Sequence, residues 1–129
     1  MTEREPLTPS GVFMCHVLVI EDEWLLSEYI SDIAERAGGT SIDTAATEAD
    51  AVDAAFAHRP DIILSDVILG EGNGPSAVQA IYQRYGEVPV IFITGTPADC
   101  HPCAPPGVIF GKPINERQVM AAFRQAMPH

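Results

Sequence analysis

The segment Val17-Leu18-Val19-Ile20-Glu21-Asp22 decides the fold, because four apolar residues of high strand propensity run directly into two carboxylates. The segments Ile62-Ile63-Leu64-Ser65-Asp66 and Val108-Ile109-Phe110-Gly111-Lys112 repeat this arrangement, and the apolar run 88–93 ends in the hydroxyl of Thr94. Short apolar runs separated by helical patterns are typical of buried parallel strands. Since ligands bind beyond the carboxyl ends of such strands, we expect these polar side chains to meet at one edge of one sheet.

The residues between the apolar runs predict helices that connect the strands. Apolar positions three and four residues apart indicate a first helix over about 24–37. A second helix is expected from its cap, Thr47, to about residue 58, a third from Pro75, and a last one from its cap, Asn115. The expected core positions of the second helix are Ala49, Val52, Ala55 and Phe56. Five strands, one of them weak (41–45), alternating with four helices predict an α/β fold with helices on both faces of a parallel sheet.

Length and composition limit the possible classes of protein. A chain of 129 residues with 47% apolar residues predicts one globular domain over 14–129, preceded by a flexible tail over 1–13. No apolar run has the length of a membrane span and no signal peptide is recognisable, so we expect a cytoplasmic protein without a membrane partner. The net charge of −11 disfavours a nucleic-acid surface.

The three cysteines do not indicate a disulfide framework. Cys15 lies in the first strand pattern, where a thiol behaves as a small apolar side chain. Cys100 and Cys103 have the two-residue spacing of redox and zinc motifs, but they lie in the proline-rich segment 95–107 and no second pair accompanies them. An incidental spacing is therefore favoured over a redox switch or a metal site.

The residues beyond the strands have a defined chemistry. Carboxylates gathered at one sheet edge repel one another by roughly 4 kcal/mol per pair at 4 Å and an effective dielectric of 20, so either one is protonated or a cation joins them. Hard oxygen ligands around a small open site suit Mg2+. Asp66 is the best candidate for a nucleophile that accepts a phosphoryl group, with Lys112 and the Thr94 hydroxyl neutralising its charge.

In this order the motifs VLVIEDE, IILSDVILGEGNG, VIFITG and FGKPI resemble those of a response-regulator receiver domain of two-component signalling, over about residues 15–127. The resemblance implies a flavodoxin-like (βα)5 fold with strand order 2-1-3-4-5. It also implies a phosphoacceptor, Asp66, that is charged by a histidine kinase or a histidine phosphotransfer protein. The remaining site residues implied are the acidic pair Glu21 and Asp22, the backbone carbonyl of Ile68 as a further Mg2+ ligand, the switch hydroxyl Thr94 and the lysine Lys112.

Two positions depart from the common receiver pattern. Gly70 stands where many receivers have proline, and Ile109 stands where many have tyrosine or phenylalanine. Phe110 is one residue later, and by strand alternation it should face the other side of the sheet. With the LGxGxxG loop and the FITG run, these departures resemble receivers that lack the aromatic switch and pair with HWE-type kinases.

Two functions from different classes follow. The first is a phosphorylatable signalling switch that acts through protein–protein contacts, without an output domain and without enzymatic activity of its own. The alternative is a receiver-shaped binding module that works independently of phosphorylation, because its switch pair is incomplete. A haloacid-dehalogenase-type phosphatase is disfavoured, because it needs a second aspartate where this chain has Ile68. The segment 95–107 is the expected mobile recognition surface, since four prolines and two glycines leave few backbone hydrogen bonds.

Overall fold

The computed structural model describes residues 14–95, 97 and 107–128 of the chain. Within them, five strands and four helices follow the predicted order. The strands are β1 (His16–Ile20), β2 (Ser41–Ala45), β3 (Ile62–Ser65), β4 (Val90–Thr94) and β5 (Gly107–Gly111). The helices are α1 (Trp24–Ala37), α2 (Glu48–Ala57), α3 (Gly74–Tyr85) and α4 (Glu116–Ala126).

The five strands form one parallel sheet in the order β2-β1-β3-β4-β5, which confirms the flavodoxin-like topology. β1 and β3 are neighbours in the middle, with Ile20 opposite Ser65. β4 lies between β3 and β5, with Thr94 opposite Gly111. Because all strands point the same way, the residues that follow β1, β3 and β5 emerge at one edge of the sheet, beside the end of β4.

Strand alternation divides the core into two clusters, one on each face of the sheet. Leu18 and Ile20 pack with α2 and α3, while Val17 and Val19 pack with α1 and α4. Phe110 packs into the second cluster, as alternation from Ile109 predicts. Burial of apolar surface on both faces, at about 25 cal/mol per Å², is the main stabilising contribution to this architecture.

Side-chain caps fix the beginnings of three helices. The hydroxyl of Thr47 accepts a hydrogen bond from the backbone N–H of Asp50, and the side chain of Asn115 accepts one from Gln118, which confirms both predicted caps. Asn73 caps α3 in the same way, and Pro75 occupies its first turn. Each cap is worth about 1 kcal/mol, so short helices begin at defined residues above the sheet.

Two expectations about side-chain burial are wrong. In α2 the buried residues are Ala51 and Ala55, whereas Ala49 and Phe56 are not in the core. Phe56 packs edge to face on Tyr85 instead, because small alanines let α2 lie close to the sheet and turn the ring outward. At the start of α1, the side chain of Trp24 is 72% exposed.

Some expectations fall outside the described residues. These are the tail over 1–13, the role of Cys100 and Cys103, and the segment 95–107 apart from positions 95, 97 and 107. In the part of the chain that the structure does describe, no helix combines the length and the apolar character needed to cross a bilayer.

Candidate functional site

Backbone hydrogen bonds extend the ladder of the sheet just beyond the strands and fix the main chain of the site. The N–H of Glu21 donates to the carbonyl of Ala45 at 2.9 Å, and the N–H of Asp66 donates to the carbonyl of Ile20 at 2.9 Å. The N–H of Lys112 donates to the carbonyl of Thr94, also at 2.9 Å. The site therefore rests on the rigid strand ends and not on the loops alone.

Three carboxylates and one ammonium group meet at this edge. Glu21, Asp22 and Asp66 each present a carboxylate oxygen within 4.8 Å of the other two. The Nζ of Lys112 lies 3.0 Å from Oδ2 of Asp66 and 3.5 Å from Oε1 of Glu21. We name these four residues the acidic pocket. Sequence reasoning placed all four at one edge, and the structure brings them together.

Backbone N–H groups orient each carboxylate of the acidic pocket. Oδ1 of Asp66 accepts a hydrogen bond from Val67 at 2.7 Å, and Oε2 of Glu21 accepts one from Glu23 at 3.0 Å. Oδ2 of Asp22 accepts one from Gly70 at 2.7 Å, so the loop after β3 is tied to the loop after β1. Fixed donors of this kind hold the charged oxygens in place without ordering any long side chain.

The electrostatics of the pocket are unbalanced. Burial raises the pKa of Glu21, while the N–H of Glu23 and the charge of Lys112 act in the opposite direction and the charge of Asp66 raises it further. Burial by itself would lower the pKa of Lys112, but its hydrogen bond to Asp66 and the charges of Asp66 and Glu21 outweigh burial and raise it. Lys112 is therefore an ammonium group at neutral pH, and one positive charge faces three acids.

One buried oxygen indicates what is needed to complete the pocket. Among the residues that the structure describes, no group donates a hydrogen bond to Oε1 of Glu21, although the residue is only 3% exposed. A buried carboxylate oxygen without a donor is costly, and a cation relieves that cost. The donor set is made only of hard oxygens on three acids, so the residues present fit Mg2+.

Thr94 and Ile68 flank the acidic pocket. Thr94 is buried at the end of β4, and its carbonyl receives the N–H of Lys112. Ile68 lies two residues beyond Asp66, with an exposed side chain, and forms an isolated antiparallel bridge with Asn73. The roles of the Thr94 hydroxyl and of the Ile68 carbonyl stay predictions.

Sequence reasoning missed the residues that hold the loop between β3 and α3. Oε1 of Glu48 accepts the N–H of Asn73 at 3.1 Å, and Gly72 passes against the Glu48 side chain with a φ of 83°. At the start of α3, a Cβ on Gly74 would lie 1.9 Å from the carbonyl oxygen of Asp66. The glycine-rich stretch 70–74 was the available signal, because glycine permits a close approach of backbone to backbone.

Ile109 occupies the position at which many receiver domains have a tyrosine or phenylalanine. It lies on β5 opposite Phe92 and is 39% exposed. Since Phe110 is committed to the core on the other face, no aromatic ring from this part of β5 lies on the face of Ile109.

Fold and acidic pocket together define a receiver domain, and comparison with known proteins identifies the family. The family model of the response regulator receiver domain matches residues 17–124, so the chain belongs to this family of two-component signalling. Phosphorylation and Mg2+ binding are typical of its members.

Among known proteins, the chain is similar to PhyR. It is 35% identical over 115 residues to the phyllosphere-induced regulator PhyR of Methylorubrum extorquens, which corresponds to 86% of this chain and 43% of that protein. The solution structure of the receiver domain of PhyR from Erythrobacter litoralis is 33% identical with a TM-score of 0.76, over 88% of this chain and 89% of that one.

The anti-anti-sigma factor PhyR of Bartonella quintana, whose crystal structure is that of a mutant, is also 33% identical. Its TM-score is 0.74, over 91% of this chain and 50% of that one. The chain spans less than half the length of the curated relatives it matches. The similarity therefore concerns their receiver domains.

Proposed function

We propose that residues 14–129 form a phosphorylatable switch in which Asp66 accepts a phosphoryl group from a histidine kinase or a histidine phosphotransfer protein. The observation that carries this proposal is that the Asp66 carboxylate lies 3.0 Å from the ammonium group of Lys112 and within 4.8 Å of both acids of the pair. Oδ1 of Asp66 is held by Val67, and the side chain keeps 10% of its exposure, so it is oriented and still accessible. Such a carboxylate is a competent nucleophile toward phosphorus.

The transfer exchanges one bond to phosphorus for another. A carboxylate oxygen of Asp66 attacks the phosphorus of a phosphohistidine, a P–O bond forms, the P–N bond breaks, and the imidazole leaves after taking up one proton. With a small acyl phosphate as donor, the carboxylate of that donor leaves instead. Lys112 and Thr94 would hold the phosphoryl oxygens, since transfer of this kind depends on positioning and on neutralising charge.

Mg2+ is the cofactor that the acidic pocket would hold. The carboxylates of Glu21, Asp22 and Asp66 and the backbone carbonyl of Ile68 would be its protein ligands, with water as the remainder. When bound, the ion supplies positive charge against the phosphoryl oxygens and removes the repulsion among the acids. Oε1 of Glu21, which accepts no hydrogen bond among the described residues and shares the Lys112 ammonium group with Asp66, supports this assignment.

The switch acts through protein–protein contacts in the cytoplasm. Exposed apolar side chains at the edge of the pocket, Trp24, Leu25 and Ile68, support docking of a histidine-bearing helix pair beside α1. Because Ile109 replaces an aromatic ring, we infer that the output uses Thr94, the chain after it and the face of α4.

Phosphorylation by a small donor tests the assignment of Asp66. The full chain is incubated with acetyl or carbamoyl phosphate and Mg2+, and intact mass is measured. We expect a gain of one phosphate that Asp66→Asn removes and that the matched control Asp53→Asn, an aspartate on the outer side of α2, keeps. Phosphate on the Asp66→Asn variant, or on a histidine, would contradict the proposal.

Omission of Mg2+ and substitution of the acidic pair test the cofactor. Without Mg2+, or in Asp22→Asn, we expect phosphorylation to slow by about tenfold or more, because part of the charge-stabilising machinery is lost. Equal rates with and without Mg2+ would remove the acidic pair from the proposal. A chain that takes no phosphate but still binds its partner would be the binding module that works independently of phosphorylation.

A further inference from the structure

A second group of chemically active side chains lies at the opposite edge of the sheet. His16 begins β1, Asp43 lies on β2, and His58 follows the end of α2. Each presents one nitrogen or oxygen atom within 4.8 Å of the other two. The length of β1, at about 3.3 Å per residue, separates His16 from Glu21, so this cluster is distinct from the acidic pocket.

His16 is held rigidly on all sides. Its backbone N–H donates to Oδ2 of Asp61 at 2.8 Å, and its carbonyl receives the backbone N–H of Asp61 at 2.7 Å. The ring is buried, with Nδ1 2.6 Å from the Ser41 hydroxyl and Nε2 2.9 Å from Oδ2 of Asp43. Because both ring nitrogens and the main chain of His16 are held by neighbours, the orientation of its ring is fixed before any ligand binds.

The contact with Ser41 is compatible with the tautomer of His16 that can bind a metal through Nε2. When Nδ1–H donates to the Ser41 hydroxyl, Nε2 carries the lone pair and faces the carboxylate of Asp43. In this tautomer the Nε2 lone pair and Oδ2 of Asp43, which lie 2.9 Å apart, can share a metal ion in place of the proton that otherwise joins them. Ligating histidines are commonly fixed in this way through the nitrogen that does not bind the metal. Ligands about 2.0 Å from a tetrahedral ion are roughly 3.3 Å apart, close to the separation seen.

His58 supplies the third donor after a rotation. Its ring is stacked on that of His16, with centroids 3.5 Å apart and an interplanar angle of 10°. Parallel rings cannot direct both lone pairs at one ion, so the His58 ring has to turn about its side-chain bonds. His58 is exposed, and within the described part of the chain no group is hydrogen-bonded to its ring, so this rotation meets little resistance.

We propose that His16, Asp43 and His58 bind a divalent transition-metal ion of the zinc type, with water in the remaining position and Ser41 positioning His16. Two imidazoles and one carboxylate are a common zinc donor set, whereas Mg2+ prefers oxygen ligands alone. The three ligands come from β1, β2 and the end of α2. The ion therefore ties these elements together and stabilises the folded chain in proportion to its occupancy.

A background without the other zinc-capable segment isolates this site. Cys100→Ser, His101→Gln and Cys103→Ser are combined, which leaves Cys15, buried in the core, as the remaining thiol. Zn2+ is titrated against a chromophoric chelator, and thermal unfolding is followed with and without Zn2+. We expect one Zn2+ per chain and a rise in Tm that His58→Ala reduces, whereas the rise that Mg2+ gives through the acidic pocket should be the same with and without His58→Ala.

Substitutions of exposed ligands decide the assignment without disturbing the core. We expect His58→Ala and Asp43→Asn each to weaken Zn2+ binding by more than about tenfold, and Ser41→Ala to weaken it by about tenfold. The control Asp53→Asn should bind as the background does. In heteronuclear NMR of the histidine rings, Zn2+ should shift the signals of His16 and His58. Absence of binding in the background, or unchanged affinity in both His58→Ala and Asp43→Asn, overturns the proposal.

Discussion

The two edges of one sheet carry opposite kinds of polar chemistry. At the carboxyl edge, three acids surround Lys112 and an oxygen of Glu21 has no hydrogen-bond donor among the described residues. At the amino edge, His16 has a partner at its N–H, at its carbonyl and at both ring nitrogens. Paired polar groups stabilise a fold even where, as we propose for His16 and Asp43, a metal ion can replace the shared proton, whereas unbalanced charge costs stability and is retained where a ligand is to neutralise it. The carboxyl edge is thus the less stable and the more reactive of the two.

The topology explains why the charges collect at one edge. In a parallel sheet the strand ends that carry Glu21 and Asp66 lie side by side, so like charges gather there from distant parts of the sequence. At the amino edge Asp61 precedes β3, and its carboxylate is within reach of the first N–H of β1. Aspartate and glutamate carboxylates therefore form the proposed cation-binding pocket at the carboxyl edge, whereas at the amino edge the carboxylate of Asp61 accepts a backbone hydrogen bond.

Gly74→Ala is the substitution with the largest expected effect on stability, and it tests whether the carboxyl edge tolerates any change in packing. A Cβ would lie 1.9 Å from the carbonyl oxygen of Asp66 and 2.3 Å from the hydroxyl of Ser65, so α3 has to move away from the pocket. We expect a loss of about 3 kcal/mol, measured by denaturant unfolding. Gly95→Ala is the matched control, because an added Cβ there meets no atom within 4 Å among the described residues. Equal stability of the two variants would show that the start of α3 is loose.

Asp61→Ala tests whether the paired polar groups at the amino edge stabilise the fold. The variant removes the acceptor of the His16 N–H, a buried donor at the head of a central strand. An unsatisfied group of this kind costs about 2 kcal/mol, so the free energy of unfolding should fall by that amount. Asp53→Ala, on the outer side of α2, should change stability by less than about 0.5 kcal/mol. A loss no larger than that of the control would mean that water replaces Asp61.

Glu21→Gln, unlike the two preceding variants, should raise the free energy of unfolding. Burial raises the pKa of Glu21 above its ordinary value of 4.5, so the folded state binds a proton more tightly than the unfolded state. Stability is therefore lost as the pH rises from 4.5 through the raised pKa. The glutamine lacks this titration, so in Mg2+-free buffer at about pH 7 it should be more stable than the unmodified chain, and the difference should shrink as the pH falls toward 4.5.

Mg2+ provides the control for that variant. We expect the ion to raise the Tm of the unmodified chain more than that of Glu21→Gln, because one of its ligands has lost its charge. If Glu21→Gln is less stable than the unmodified chain at neutral pH, and the difference does not depend on pH, the carboxylate stabilises the fold. The statement that unbalanced charge at the carboxyl edge costs stability would then be wrong for Glu21.

The carboxyl edge could be predicted from the sequence because each of its residues directly follows an apolar run. Once parallel strands are assumed, Glu21, Asp66 and Lys112 must emerge together, and no side-chain detail is needed. The strand order followed from the resemblance to receiver domains. The sheet shows that order, but the strand patterns alone do not determine which strands are neighbours.

The amino-edge cluster could not be predicted in this way. His16 lies at the start of a strand, Asp43 on a weak strand and His58 at a helix end, so no common pattern connects them. Their contact depends on which face of β2 lies under α2 and on the residue at which α2 ends. The outward position of Phe56 has the same cause, because alanine spacing and not aromatic size decides which side of α2 lies on the sheet.

Trp24→Ala has the smallest expected effect on the fold and separates function from stability at the carboxyl edge. The ring is 72% exposed, so its removal should change the free energy of unfolding by less than about 0.5 kcal/mol. If a kinase docks beside α1, as we propose, Trp24→Ala should take phosphate normally from acetyl phosphate but slowly from the kinase, since an exposed aromatic is a typical interface anchor. Phe56→Ala, which removes an exposed ring that contacts Tyr85, is the control and should accept phosphate from both donors at the normal rate. Equal losses from both donors in Trp24→Ala would show that the residue supports the acidic pocket itself.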